Sequence, residues 1–200
     1  MYYPPNMRPD TPILVFSYSS GFYMAAPTLP TPAFIIYHNL GSFFTSHGFI
    51  TIIPNYCLVD LGVQFPGAVQ DMQDAMQWVM DNLPSPDSDI YVLGHSAGVM
   101  NMFIILTLPE LYSPSLQPHI KGVVFLSGPY TFEDMPVDMK DSVRLYYGED
   151  DEAKQGAIGI VGISKFHTNS KTFARYWQEG HSLPAPRYGE IQRGFEGIIR

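Results

Sequence analysis

A serine flanked by two glycines is the feature of this 200-residue chain whose residue types and spacing could do chemistry. The segment 94–98, Gly-His-Ser-Ala-Gly, fits the pattern G-x-S-x-G and lies between a β-branched run at 90–93 and an apolar run at 97–108. A tight turn from strand to helix exposes the central hydroxyl at the carboxyl end of a sheet, where it can attack an acyl group. We therefore predict that Ser96 is a nucleophile; the alternative is a glycine-rich turn that only joins the two elements.

The two residues next to Ser96 are predicted to have different roles. The start of the following helix places the backbone N–H of Ala97 beside the serine, where it can stabilise a developing oxyanion. His95 occupies the variable position of the pattern, so we interpret it as structural. The two glycines are expected because side chains at their positions would collide with the neighbouring strand and helix.

Strand and helix patterns alternate around this turn for more than a hundred residues. Short apolar runs that predict buried strands lie at 12–18, 49–54, 90–93 and 120–127, and helical patterns lie at 31–48, 69–83 and 97–108. This alternation predicts an α/β fold with a mostly parallel, doubly wound sheet and helices on both faces. The strand at 90–93 should be interior, between 12–18 and 120–127. On the second helix, Met76 and Val79 should face the sheet.

Beyond Gly128 the periodicity weakens. Residues 134–152 are acidic and are expected to be irregular, 157–163 could form one more strand, and 171–179 a short helix. The length predicts a single domain over 1–200. Its tail, 153–200, differs in character because it holds seven basic residues against three acidic ones.

Composition excludes several classes of protein. A net charge of −8 argues against a nucleic-acid partner, which needs clustered Lys and Arg. The most apolar region, 33–54, is interrupted by polar residues, so no membrane span is expected, and the N-terminus lacks the pattern of a secretory signal. The single Cys57 excludes an intramolecular disulfide and a cysteine-based zinc site. We therefore expect a cytoplasmic protein.

The stretch 12–130 resembles the α/β-hydrolase esterase/lipase superfamily, in particular the hormone-sensitive-lipase-like and kynurenine-formamidase-like esterases. The resemblance rests on four segments in the family's order, which are 14–22, 48–56, 65–71 with 75–79, and 94–98. It implies an α/β-hydrolase fold and no metal or organic cofactor. The opening Tyr-Tyr-Pro-Pro-Asn resembles the end of the family's second strand, which implies that the first edge strands are missing and the fold is incomplete.

The first of these segments normally reads His-Gly-Gly-Gly-Phe and supplies oxyanion-hole amides. Here Tyr-Ser-Ser-Gly replaces the first four residues, so only Gly21 is retained and Ser20 adds a side chain where substrate would approach. The hole needs N–H groups rather than glycine itself. The resemblance thus implies an oxyanion hole built from Ser20, Gly21 and Ala97.

A serine nucleophile also needs a histidine to accept its proton and an acid to orient that histidine. The resemblance implies the chain order serine, acid, histidine, so both partners follow Ser96. His119 precedes a strand at the wrong end of the sheet and is interpreted as structural. Gly180-His181-Ser182 resembles the family's Gly-His pair, so we favour His181 as the base and keep His167 as the alternative.

Asp150 and Asp151 are the candidates for the acid. Their segment, 146–153, resembles the family's variable cap, ahead of the strand that normally presents the acid.

The sequence leaves two functions open. One is a serine carboxylesterase acting on a small ester or aryl amide, and the other is a non-catalytic or incomplete hydrolase-fold protein. The sequence carries no signal for an oligomeric state.

Overall fold

The computed structural model describes residues 1–20, 34–82, 84–85, 87–107, 111, 113–128 and 137–148. These residues belong to the first of two compact units, which runs from Met1 to Val161; the second unit, Gly162–Arg200, lies outside them. The single domain over 1–200, the strand at 157–163 and the helix at 171–179 therefore stay predictions.

Within the described residues, four parallel strands form the sheet. They are β1 (Ile13–Ser17), β2 (Ile50–Ile52), β3 (Ile90–His95) and β4 (Ile120–Leu126), in the spatial order β2-β1-β3-β4. The interior position of β3 between β1 and β4 confirms the prediction for 90–93. On the other side of β2, Tyr2 pairs with Thr51 in the antiparallel sense.

Helices cover both faces of the sheet. Helix α1 (Phe34–Ser46) follows β1, α2 (Gly67–Asp81) follows β2, and α3 (Ala97–Thr107) follows β3. All five residues of β1 are buried. Because successive side chains of a strand point to opposite faces, this burial requires a layer on each side of the sheet. The α/β-hydrolase architecture expected from the alternating pattern is confirmed.

The apolar stripe of α2 is buried, and its orientation toward the sheet stays a prediction. Met76 and Val79 are both 2% exposed, and three further residues complete the stripe, namely Ala68, Val69 and Met72. The opposite side of the helix carries exposed residues, among them Gln77 and Trp78. Helix α2 packs beside α3.

The expectation that 134–152 is irregular is wrong, because helix α4 spans Val137–Tyr147. Its buried residues are Val143, Tyr146 and Tyr147, which lie three and four positions apart and so share one face. Asp141 and Arg144 point outward and form an exposed ion pair. The segment is an amphipathic helix, but its acidic composition and a buried face made mostly of tyrosine do not indicate one in the sequence.

Candidate active site

Ser96 lies at the junction of β3 and α3, at the carboxyl end of the sheet. Its φ angle is 53°, in the left-handed region that non-glycine residues rarely adopt. Two backbone hydrogen bonds hold it there. Its N–H donates to the carbonyl of Leu126 at 3.0 Å, and its own carbonyl accepts from the N–H of Val99 at 3.0 Å. A strained residue fixed by its surroundings is typical of functional turns.

Close packing surrounds the two glycines of the turn, tightly at Gly94 and prohibitively for any side chain at Gly98. A Cβ on Gly94 would lie 3.0 Å from the Cα of Val99 and 3.1 Å from the ring of Phe125. A Cβ on Gly98 would overlap the carbonyl group of Ser17 and come within 2.6 Å of the carbonyl oxygen of Tyr18. Gly98 therefore lets the first turn of α3 lie directly against the end of β1.

The oxyanion side of the site is described for two of its three predicted residues. Ala97 is the first residue of α3, so its N–H has no acceptor within the helix. Ser20 is 4% exposed, and its Oγ lies 2.9 Å from the hydroxyl of Tyr56. The side chain of Ser20 is packed against that tyrosine, which corrects the expectation that it faces approaching substrate. Gly21 lies outside the described residues.

Two stacked tyrosines, Tyr18 and Tyr56, fix the backbone of the segment that follows β1 through hydrogen bonds. The buried Tyr56 donates from its hydroxyl to the carbonyl of Tyr18 at 2.8 Å, and the two rings stack with centroids 4.7 Å apart. The Tyr18 hydroxyl donates in turn to Oδ1 of Asn55 at 2.7 Å. Burial raises the pKa of Tyr56 far above its usual value. No sequence pattern predicts a role for Tyr56, although its position after β2 places it at the same sheet edge as Tyr18.

The described part of the chain contains four histidines, and none of them hydrogen-bonds to Ser96. His119 precedes β4 at the amino end of the sheet, where its Nδ1 lies 3.0 Å from the carbonyl oxygen of Ser88. His95 ends β3 beside the serine, and burial lowers its pKa. The other two, His38 and His47, belong to α1 and the turn after it.

The predicted base and acid stay predictions. His181, the alternative His167, and both Asp150 and Asp151 lie outside the described residues. Within the described residues no group of three or more His, Cys, Asp or Glu side chains could hold a metal ion. No helix among them is both long and apolar enough to cross a membrane.

Comparison with solved structures supports the same fold. Thermogutta terrifontis esterase 2 phosphonylated by sarin superimposes with a TM-score of 0.59 at 18% sequence identity, covering 76% of this chain and 59% of the esterase. The propionate-bound form of that esterase gives a TM-score of 0.55 at 19% identity, covering 76% and 58% of the two chains. This chain thus spans about three-fifths of the length of the esterase. A search of curated protein sequences found no match.

Comparison with models of protein families shows which family the sequence belongs to. The model of the BD-FAE family, an esterase family of the α/β-hydrolase type, matches residues 1–158 and so includes the whole described sheet and the turn at Ser96. The chain belongs to the BD-FAE family of α/β-hydrolase-type esterases.

Proposed function

We propose that this protein is a serine carboxylesterase that hydrolyses small carboxylic esters or aryl amides. The observation that carries the proposal is the geometry of Ser96, which is held at φ 53° on a turn where packing leaves no room for a side chain at Gly98 and little at Gly94. Family membership supports the reaction class. The structures of Thermogutta terrifontis esterase 2, one phosphonylated by sarin and one with bound propionate, favour a small acyl group.

The proposed reaction proceeds by acyl transfer. Ser96 Oγ attacks the carbonyl carbon while its proton passes to His181, which Asp150 or Asp151 orients. N–H groups of Ala97, Gly21 and Ser20 stabilise the oxyanion of the tetrahedral intermediate. The C–O or C–N bond then breaks, His181 protonates the leaving group, and an acyl-serine forms. Water, deprotonated by the same histidine, hydrolyses this ester and restores the free serine.

The chemistry proposed uses side chains and backbone amides only, with no metal or organic cofactor. The partner is a small molecule rather than a nucleic acid, since the chain carries a net charge of −8. A single cysteine suits a reducing compartment, so we place the activity in the cytoplasm.

Labelling with a fluorophosphonate probe tests this function. We expect the wild-type chain to be labelled on one residue, the Ser96→Ala variant to remain unlabelled, and the His181→Ala variant to react orders of magnitude more slowly. A phosphonylating probe needs an activated oxygen, and removal of the base leaves only the residual rate from the oxyanion hole and binding. Intact-mass spectrometry follows the added mass over time.

His167→Ala is the matched control, because it removes the alternative histidine from the same part of the chain. A larger loss in this variant than in His181→Ala would exchange the two assignments. A folded wild-type chain that stays unlabelled, while a known serine esterase reacts, would overturn the proposed function and leave a non-catalytic hydrolase-fold protein.

A further inference from the structure

The carbonyl group of Tyr18 lies where the segment after β1 contacts both Tyr56 and the first turn of α3. It belongs to the segment that leaves β1 toward the predicted oxyanion amides. On one side it accepts the hydrogen bond from Tyr56 at 2.8 Å. On the other it faces Gly98, where a Cβ would come within 2.6 Å of its oxygen. The orientation of this one peptide therefore links the segment after β1 to the helix that begins next to Ser96.

Side-chain hydroxyls hold each residue of this segment. Besides its bond to Tyr18, the Tyr56 hydroxyl lies 2.9 Å from Oγ of Ser20, and the hydroxyl of Tyr37 donates to the carbonyl of Ser19 at 3.2 Å. Tyr56 is 5% exposed and contacts two of the three residues, so it is the main brace. Since burial raises its pKa, the Tyr56 hydroxyl keeps its proton at neutral pH and can donate.

We propose that Tyr56 is a positioning residue that orients the backbone from Tyr18 to Ser20, and with it the oxyanion-hole amides, against Ser96. This inference rests on the proposed function. Oxyanion donors act only when they point at the place where charge develops, and a displacement of about 1 Å can cost about 100-fold in rate. Loss of one hydroxyl on Tyr56 should therefore change turnover more than it changes substrate binding.

Tyr56→Phe tests this role, because it removes the hydroxyl and keeps the ring that stacks on Tyr18. Tyr146→Phe is the matched control. Tyr146 is also buried, but it belongs to α4, and its hydroxyl lies near the start of α2. With p-nitrophenyl acetate, Tyr56→Phe should lower kcat about 10- to 100-fold with KM changed less than twofold, and Tyr146→Phe should change neither.

Hydrogen–deuterium exchange of the amides at 18–21 gives a readout that does not depend on turnover. In Tyr56→Phe we expect these amides to exchange at least tenfold faster, and in Tyr146→Phe at the wild-type rate. Unchanged exchange in Tyr56→Phe, or an equal increase in both variants, would overturn the inference. Faster exchange with an unchanged kcat would overturn it too. A wild-type enzyme without turnover would instead overturn the proposed function, while exchange still decides whether Tyr56 orders this segment.

Discussion

The thiol of Cys57 lies beside the carboxylate of Asp71, whose Oδ2 accepts a 2.7 Å hydrogen bond from the Cys57 N–H. A side-chain hydrogen bond between the thiol itself and the Asp71 carboxylate raises the pKa of Cys57, and burial and the negative charge of Asp71 add to the effect. Asp71→Asn should remove the negative charge, lower the pKa and speed alkylation by iodoacetamide at pH 8, because the thiolate is the reacting form. The rate measured against pH gives the midpoint directly, since the chain has one cysteine.

Asp74→Asn is the control for this experiment. It neutralises an exposed acid one turn away on the same helix and should leave the alkylation midpoint in place. Equal shifts from both variants would show that the thiol responds to overall charge and not to its neighbour Asp71.

For single residues, the sequence predicts roles that depend on neighbours close in the chain. The pattern around Ser96 predicts a tight turn with glycine on either side, and the space around Gly98 confirms the need for glycine there, while Gly94 is tightly packed. Tyr56 could not be assigned in this way. Its hydroxyl reaches a backbone group 38 positions earlier, and no local pattern specifies such a contact.

The buried stripe of α2 supports a prediction at the scale of an element. Met76→Ala should lower the free energy of unfolding by about 2–5 kcal/mol, because a buried side chain is removed and a cavity is left. Gln77→Ala, on the exposed side of the same helix, should change it by less than about 0.5 kcal/mol. Urea denaturation measures both. Similar midpoints for the two variants would contradict the assigned orientation of the helix.

Elements with strong hydrophobic periodicity could be predicted from the sequence, whereas helix α4, which lacks it, could not. Strands β1 to β4 lie in short apolar runs, and helices α1 to α3 carry apolar residues at helical spacing, so their order and the parallel sheet follow from the sequence. Helix α4 buries Tyr146 and Tyr147 instead of aliphatic residues, within an acidic segment. Tyrosine is often half-exposed in proteins, so its spacing gave a weak signal.

The charge of the whole molecule leads to a prediction about salt. Residues 1–120 contain one Arg and eight acidic residues, and all three ion pairs among the described residues are highly exposed or nearly half-exposed. Such pairs contribute little, so repulsion between like charges should dominate. Raising NaCl from 0.02 to 0.3 M should therefore raise the urea midpoint at pH 7.5, because salt screens the repulsion.

The same titration near the isoelectric point of about 5.0 is the control. With little net charge left to screen, the midpoint should there depend only weakly on NaCl. A midpoint that falls with salt at pH 7.5 would mean that attractive pairs outweigh the repulsion.

The order of strands in the sheet also has a consequence for how the chain is made in the cell. Of the four described strands, β1 comes earliest in the chain and is buried along its whole length, yet both of its neighbours come later, since Ile13 pairs with Ile50 on one side and with Ile90 on the other. A ribosome adds about 5–20 residues per second. For several seconds the nascent chain therefore presents an apolar strand with two open edges, a segment prone to aggregate that chaperones would shield during translation.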